Sequence, residues 1–371
     1  MMRNVNLKTR YSPTSIRFCL RWTGHWILFN ALALAAFGAA EAAPLDALLT
    51  ASPERDVKNG YVELALDNMA AISGDSGNDY HGGHVRGGFA PSPVWWLSAA
   101  LWQRSVVSGG DNFRYDSWQL AAQYRVSEGD GWRPALGLRV SAWGDQASAS
   151  NSSTPVSVPY LKLNTVSVTN PADQNLQVDV LSTWVLSSTR DVSVLLGGGS
   201  TQLSYGTLTA STTSGGCNYQ LQFIGDTIFG TLANQCNAGV GVIQQFYASS
   251  ASYGIQPSEE LGWHGNFVHL GANTSWRNGP WKWSAGLLWT QVQRSGVDDI
   301  LATRGQVAYT QNTDVLVQGQ YRLSEHLQAT GSLQVSSNLF LSDIPVTYNS
   351  STAKRFESNY SLVSIGLLYD F

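Results

Sequence analysis

The sequence predicts an all-β protein whose strands close into an antiparallel barrel that spans a membrane. Three observations lead to this fold class. The chain of 371 residues is 43% hydrophobic but only 13% charged, whereas soluble domains carry about 25% charged residues. Segments that alternate apolar and polar residues recur along the chain, and the apolar face of each segment carries no charge. The connections between these segments alternate between short and long.

The alternating segments have the period of two residues that is typical of a β-strand. In the first of them Leu64 and Leu66 share one face, while Glu63 and Asp67 lie on the other. A charge at the bilayer midplane costs about 2–4 kcal/mol, so every strand of a membrane barrel must exclude charges from its lipid face. We predict about twelve strands, with about ten or fourteen as alternatives. The predicted strands are 61–68, 84–90, 94–104, 115–126, 133–143, 175–186, 192–201, 267–277, 281–292, 305–323, 327–337 and 360–371.

The opposite faces of these strands carry polar and charged side chains, which would be poor filling for the dry core of a soluble sandwich because each would need a partner. They suit a water-filled or hydrogen-bonded lumen. Opposed basic and acidic groups in a pore create a transverse field that orients polar or anionic solutes. The alternative is a mutually paired network that fills a narrow barrel. The predicted lumen-lining residues are Glu63, Asp67, Arg86, Arg104, Arg125, Arg139, Asp179, His269, Lys282, Asp314 and Arg322.

The N-terminus has the pattern of a secretory signal peptide over residues 1–42. A basic stretch that contains Arg3 and Arg10 precedes an apolar segment at 26–37, and Ala40-Glu41-Ala42 provides a small-x-small cleavage site. The chain has 22 basic and 26 acidic residues, so removing this segment leaves 17 against 25, a net charge of −8. That balance argues against a nucleic-acid partner. We expect residues 43–59 to be a periplasmic lead and residues 60–371 to form the barrel.

The longest predicted connection, 203–262, contains Cys217 and Cys236. Two cysteines in an exported protein most simply form one disulfide. A metal site is the weaker interpretation because no histidine or third cysteine lies nearby. The same loop holds two strand-like pieces at 219–224 and 239–246, which would make fourteen strands if both crossed the membrane. We expect twelve, because the turn between them would be unusually long.

The last strand places five residues on one face, Val363, Ile365, Leu367, Tyr369 and Phe371. It resembles the C-terminal strand of Gram-negative outer-membrane β-barrel proteins, which ends in Phe and has aromatic or aliphatic residues at alternate positions. The resemblance implies that these five residues are the signal read by the β-barrel assembly machinery. It also implies short periplasmic turns, long extracellular loops, and contact with outer-membrane lipid and lipopolysaccharide.

The chemistry of an enzyme is not apparent in the sequence. We find no nucleophile elbow, phosphate loop, CxxC or HExxH motif, and so predict no enzyme, no cofactor and no metal site. His81 and His84 are too few ligands for a metal. His264 and Asn266 resemble the Ser–His–Asn set of outer-membrane phospholipase A only in residue type, since the adjacent serine is lacking.

The function that these observations favour is a porin-like channel for the passive passage of small hydrophilic solutes. The alternative is a barrel from another class that does not conduct. Such a barrel acts through its extracellular loops in surface display or envelope assembly. An outer-membrane lipid hydrolase is a weaker alternative.

Overall fold

The computed structural model describes residues 60–71, 79–108, 111–130, 132–153, 155–234, 236, 242–338, 341 and 343–371. The predicted signal peptide at 1–42 and the predicted lead at 43–59 lie outside these residues. Within the described part of the chain, no helix is both long enough and apolar enough to cross a membrane.

Within the described residues the fold consists of nineteen strands, two short α-helices and three 3-10 turns. The helices are α1 (Pro257–Leu261) and α2 (Val297–Thr303). The first ten strands are β1 (Gly60–Ala71), β2 (Asp79–Ser92), β3 (Trp95–Ser108), β4 (Asp111–Ser127), β5 (Ala135–Gln146), β6 (Ala149–Ser152), β7 (Val156–Val158), β8 (Leu161–Thr169), β9 (Ala172–Ser187) and β10 (Arg190–Ser204). The others are β11 (Leu208–Ser214), β12 (Cys217–Ile224), β13 (Thr227–Leu232), β14 (Gln245–Ser249), β15 (His264–Asn278), β16 (Trp281–Arg294), β17 (Gln311–Arg322), β18 (Leu327–Ser336) and β19 (Tyr360–Asp370).

Twelve of the strands form a closed barrel in the order β1-β19-β18-β17-β16-β15-β10-β9-β5-β4-β3-β2. Every neighbouring pair is antiparallel, and β1 pairs with β19 to close the ring. At that seam Gly60 N donates to Phe371 O at 3.2 Å, and Phe371 N donates to Gly60 O at 2.9 Å. The predicted fold class and strand number are confirmed, and the alternatives of ten or fourteen strands are wrong.

The outer surface of the barrel is apolar. Leu66 is 76% exposed and Ile365 69% exposed, although both lie in the middle of regular strands. Exposed leucine, valine and isoleucine side chains continue around the barrel, for example Leu120, Leu138, Val180, Leu196, Leu270, Leu287, Val317 and Leu333. Soluble proteins rarely expose a continuous apolar surface of this extent. The belt therefore fits a barrel surrounded by lipid.

Exposed aromatic rings cluster where the short turns lie. Trp95 on β3 contacts Tyr124 on β4 with ring centroids 5.0 Å apart, and Trp281 on β16 contacts Tyr321 on β17 at 4.6 Å. All four rings are more than one third exposed. Amphipathic rings prefer the headgroup level of a membrane, so this cluster fits an aromatic girdle at the short-turn end.

The connections differ in length at the two ends of the barrel. One end, the short-turn end, carries the connections 93–94, 128–134, 188–189, 279–280 and 323–326. The other, the long-loop end, carries 72–78, 109–110, 147–171, 205–263, 295–310 and 337–359. The strands predicted at 94–104 and 115–126 are longer than expected, because β3 and β4 stay paired as far as Ser108 and Asp111. The strand expected over 305–323 begins only at Gln311, because α2 and the residues after it pack against the other long loops.

A second sheet stands at the long-loop end. It has the order β14-β13-β12-β11-β8-β6, with β7 paired to β8, and its core includes Leu163, Leu208, Tyr219, Leu221, Phe223 and Ile228. The predicted disulfide between Cys217 and Cys236 is present, with Cα atoms 5.0 Å apart. The piece expected at 219–224 belongs to β12, and β14 lies near the one expected at 239–246, of which 239–241 fall outside the described residues. Both strands belong to this sheet, so the loop does not add strands to the barrel.

Candidate functional site: the barrel lumen

Inward-facing charges near the seam of the barrel are paired. Glu63 on β1 is 2% exposed. One of its carboxylate oxygens accepts a hydrogen bond from Arg86 Nε at 2.5 Å, and the other accepts one from Thr330 Oγ1 at 2.6 Å. The next charged residue on the inward face of β1, Asp67, lies 2.9 Å from His84 Nδ1. These two predicted lumen carboxylates therefore form ion pairs or hydrogen bonds with the neighbouring strand.

A second paired group crosses the middle of the opposite wall. His269 Nε2 lies 2.8 Å from Asp179 Oδ1, and both side chains are fully buried. Gln177 Nε2 donates to the other oxygen of Asp179 at 2.7 Å. Arg139 is also fully buried, and its Nε donates to Ser141 Oγ. Gly197 makes room for this group, since a Cβ there would lie 2.0 Å from Asp179 Oδ1 and 2.5 Å from His269 Nε2.

Two further groups of buried lumen charges lie toward the long-loop end. Arg104 is 3.8 Å from Asp145, with both side chains almost fully buried. Asp314 accepts hydrogen bonds from Asn312 Nδ2 at 3.1 Å and from Ser336 Oγ. The packing of these groups corresponds to the paired network that the sequence left open as an alternative to a water-filled lumen.

Three predicted lumen cations lie nearer the short-turn end. Lys282 is half-buried, whereas Arg322 is exposed at the last position of β17. Arg125 lies at the rim, where its guanidinium donates to Glu128 at 3.2 Å. These side chains share the inward face of their strands, but Arg125 and Arg322 border the lumen entrance instead of lining its middle.

The connection 337–359, called the inner loop below, folds into the barrel. Its 3-10 turn, Pro345–Thr347, contacts β5, β9 and β10, which lie across the barrel from β18 and β19. Val346 N donates to Asp173 Oδ2 at 2.8 Å, and Ile344 is fully buried. The sequence predicted only a long loop here. Its one signal was the alternation of Ile344, Val346 and Tyr348 within a polar stretch.

The inner loop is joined to two other long loops. Trp263 Nε1 donates to Tyr348 O at 2.8 Å, and the guanidinium carbon of Arg294 lies 3.8 Å from the Tyr348 ring centroid. On the other side of the loop Ser350 donates to Glu260 on α1. Glu260 also accepts hydrogen bonds from Arg304 at 2.8 and 3.1 Å. Together these contacts form a cap over the long-loop end.

Asp298 on α2 completes this cap from above. Its carboxylate accepts hydrogen bonds from Arg294 Nη1 at 3.3 Å and from Arg294 N at 3.2 Å. Partial burial raises the pKa of Asp298, and the adjacent guanidinium of Arg294 opposes that shift. The pair therefore holds the start of α2 against the end of β16.

The histidines considered for catalysis do not form an activated nucleophile. His264 is exposed at the long-loop end of β15, and its Nδ1 lies 3.0 Å from Ser295 Oγ. That hydroxyl also donates to the His264 carbonyl at 2.9 Å. A hydroxyl has one proton, so in this geometry Ser295 donates it to the backbone and accepts from the imidazole. The pair thus joins the start of β15 to the connection that follows β16.

The described part of the lumen and the loops contains no cluster of metal ligands. In the described ranges, no group of three or more His, Cys, Asp or Glu side chains is placed to hold a metal ion. His84, one of the two histidines weighed for a metal, instead pairs with Asp67.

Comparisons with known proteins give matches only among solved structures. No family model and no curated protein sequence matches it. Among solved structures, it is similar to the translocator domain of the autotransporter NalP from Neisseria meningitidis, with a TM-score of 0.48 and 9% identity over 88% of this chain and 94% of that one. It is also similar to the CymD monoaromatic hydrocarbon channel (TM-score 0.41, 13% identity, 90% and 95% covered) and the KdgM porin (0.39, 7%, 84% and 99%). The architecture of this chain is a closed antiparallel barrel of twelve strands.

Proposed function

We propose that the protein is an outer-membrane channel for small hydrophilic solutes and that it opens when the inner loop moves. The observation that carries this proposal is the way in which the inner loop crosses the lumen. It is fastened to the far wall by a hydrogen bond from Val346 N to Asp173 and by side-chain contacts, whereas the barrel strands are joined by continuous backbone ladders. An element that is held by a few polar contacts can be displaced while the barrel stays closed.

The charge distribution of the short-turn half supports a preference among solutes. Arg86, Arg277, Lys282 and Arg322 lie on inward faces there, with Glu63 and other acidic groups near them. Cations on one side of a pore and anions on another orient polar solutes and favour anionic ones where the cations predominate. The expected order of passage is therefore small anionic and neutral polar solutes before cationic ones.

We further propose an orientation of the barrel in the outer membrane. The short turns face the periplasm, the long loops face the exterior with its lipopolysaccharide, and the apolar belt contacts lipid. The signal peptide 1–42 directs export of the protein and is then cleaved. The face formed by Val363, Ile365, Leu367, Tyr369 and Phe371 is read by the β-barrel assembly machinery.

Conductance in planar bilayers tests the channel. Val346→Pro removes the N–H that donates to Asp173, and Val346→Ala is the matched control that keeps it. We expect brief openings in the wild type and in Val346→Ala, and longer or larger openings in Val346→Pro. Absence of conductance in all three, and in a variant that lacks 343–357, would overturn the proposal.

One observation favours surface display as a second candidate. The face of the second sheet opposite its core carries many uncharged polar side chains, including Thr165, Ser211 and Gln220, beside the exposed apolar residues Ile224 and Phe229. Thr165 and Ser211 hydrogen bond to each other at 2.7 Å. Liposome swelling separates the two functions, since uptake of sugars or amino acids supports the channel and its absence supports display.

A further inference from the structure

Four buried carboxylates lie where the inner loop enters the barrel. Asp145 on β5, Asp173 on β9 and Asp314 on β17 belong to the wall, whereas Asp343 belongs to the inner loop. None of the four residues is more than 6% exposed. Ionised carboxylates that are close together and shielded from water repel one another. The stability of the closed loop therefore depends on how many of these groups carry a charge.

Asp145 and Asp173 form a close pair in the wall. Asp145 N donates to Asp173 Oδ1 at 3.2 Å, and the two side chains interact electrostatically. Neither carboxylate oxygen of Asp145 has a hydrogen-bond donor among the described residues. Arg104 Nη1 lies 3.8 Å from Asp145 Oδ1, which is beyond hydrogen-bond distance. Two neighbouring carboxylates in a buried site share a proton, because both cannot ionise there.

Asp343 brings a further carboxylate from the inner loop into this region. On β18, Gln334 Nε2 donates to Asp343 Oδ2 at 3.2 Å and to Asp314 Oδ1 at 3.4 Å, so one amide group spans both carboxylates. The Tyr360 hydroxyl on β19 also donates to Asp343. Asp343 interacts electrostatically with Asp145 as well as with Asp314. Insertion of the loop thus adds a carboxylate to a wall that already holds three.

The surrounding charges compensate these acids only in part. Arg104 lies beside Asp145, but it also faces Asp67. Arg355 of the inner loop faces Asp111 at the start of β4. In the described part of the chain, the titratable groups that face one another here are Arg104 of β3, Tyr115 of β4, Asp145 of β5, Asp173 of β9, Asp314 of β17, Tyr360 of β19 and Asp343 of the inner loop. Protons on the carboxylates therefore supply the missing compensation.

A small cavity beneath the inner loop restricts the water that can reach this cluster. Its volume of about 20 Å³ has room for about one water molecule. The walls are mostly apolar and include Trp143, Thr290 and Phe267. The cavity also borders Asn175, whose Nδ2 donates to Asp173 at 2.7 Å. While the loop stays in place, ionised carboxylates here lack the hydration that would offset their burial.

We propose that the inner loop is a pH-sensitive gate, held in the barrel by protons that the four carboxylates share. Displacement of the loop moves Asp343 away from the wall and admits water to the remaining carboxylates, which ionise and release their protons to the solvent. The closed state thus binds more protons than the open state, so its stability falls as the pH rises. The position of the loop depends only on the closed barrel. That the loop also regulates conductance rests on the proposed function.

Cysteine labelling measures the position of the loop independently of conductance. Ile344→Cys places a thiol at a fully buried position of the inner loop, and Ser351→Cys places one at an exposed position of the same loop. Each variant, in detergent micelles with the disulfide intact, is treated with a hydrophilic maleimide from about pH 5 to 9, where buried carboxylates titrate. The ratio of the first rate to the second removes the effect of pH on the thiol itself. We expect this ratio to rise by up to about tenfold per pH unit for each proton released.

Two further variants on different elements identify the carboxylates. Asp145→Asn and Asp343→Asn, each combined with the two labelling positions, replace a carboxylate by a neutral amide of nearly the same shape, as protonation does. We expect the loop to stay closed at high pH and the dependence of the ratio on pH to become flatter. Asp116→Asn is the control, because Asp116 is exposed on β4 and its removal should leave the pH dependence unchanged.

The outcomes distinguish the gate from the channel. A labelling ratio that stays constant or falls as the pH rises overturns the gate, and so does an unchanged pH dependence in both asparagine variants. Conductance together with a pH-independent ratio leaves the channel in place and overturns the gate. A ratio that rises with pH, without conductance at any pH, overturns the channel and leaves the movement of the loop in place.

Discussion

The guanidinium carbon of Arg294 lies 3.8 Å from the ring centroid of Tyr348, which joins the end of β16 to the inner loop. Arg294 is 4% exposed and Tyr348 fully buried, so this cation–π contact is shielded from water. The same guanidinium donates to Tyr309 O at 2.9 Å and to Asp298. One side chain therefore joins Tyr348, Tyr309 and Asp298 within the cap.

Arg294→Met should loosen the cap. The change removes the charge over Tyr348 and leaves Asp298 without its partner, which we expect to cost about 3 kcal/mol of cap stability. The expected results are faster proteolysis within 343–357 and longer channel openings, with the barrel itself intact on gels. Arg114→Met is the control because Arg114 is exposed. Equal proteolysis of both variants would show that Arg294 does not hold the cap.

Glu63→Gln should weaken the barrel where β1 pairs with β2. Arg86 would lose its anionic partner inside the lumen, and breaking a buried pair from one side costs about 3 kcal/mol. The free energy of unfolding in urea, measured in detergent, is expected to fall by about that amount. Glu325→Gln at an exposed turn is the control.

The double variant Glu63→Gln, Arg86→Met should recover part of this loss, because it removes the Arg86 charge together with the Glu63 charge. If the losses of unfolding free energy in Glu63→Gln and Arg86→Met simply add up in the double variant, the Glu63–Arg86 pair does not contribute to stability in the way that its geometry indicates.

Cys217→Ser together with Cys236→Ser should affect the second sheet and leave the barrel unchanged. A disulfide that closes a 19-residue separation contributes about 3 kcal/mol in the chain-entropy model. The expected result is cleavage within 205–249 at lower protease concentration, with the same urea midpoint for the barrel. A parallel fall in barrel stability would mean that the sheet and the barrel unfold together.

Leu270→Arg should impair insertion into bilayers. Leu270 is 51% exposed in the middle of β15, and an arginine at the bilayer midplane costs about 2–4 kcal/mol. The folded fraction in lipid vesicles is expected to fall strongly, as seen from band shifts on unheated gels. Thr231→Arg places the same charge on the exposed second sheet and should fold normally. Equal folding of both variants would contradict a lipid position for Leu270.

Much of the barrel could be predicted from sequence because its pattern is local. Whether a residue faces lipid or lumen depends on its parity within one strand, so Leu64 and Leu66 separate from Glu63 and Asp67 without knowledge of any other strand. The boundaries were less accurate. Ala308 and Tyr309 belong to the strand predicted over 305–323 but pack against the cap. The ends of β3 and β4 continue into a region whose polar residues are typical of a loop.

The inner loop and the lumen cavity could not be predicted in the same way. The hydrogen bond from Val346 to Asp173 joins residues 173 positions apart, and that from Trp263 to Tyr348 joins residues 85 positions apart. A one-dimensional pattern shows that Tyr348 is apolar, but it does not show which distant group it will meet. The same applies to Trp143 on β5 and Thr290 on β16, which line one small cavity only because the barrel closes.

The sequence by itself determined the barrel, its strand number, the two faces of each strand and the cysteine pair, because a bilayer excludes charge from every second residue and this requirement is written locally along the chain. Only the tertiary structure decided that the lumen charges are paired, that the 337–359 connection folds inward, and that an apolar cavity lies beneath it. Those features depend on side chains from opposite walls meeting inside a closed ring, and closure is a property of all twelve strands together.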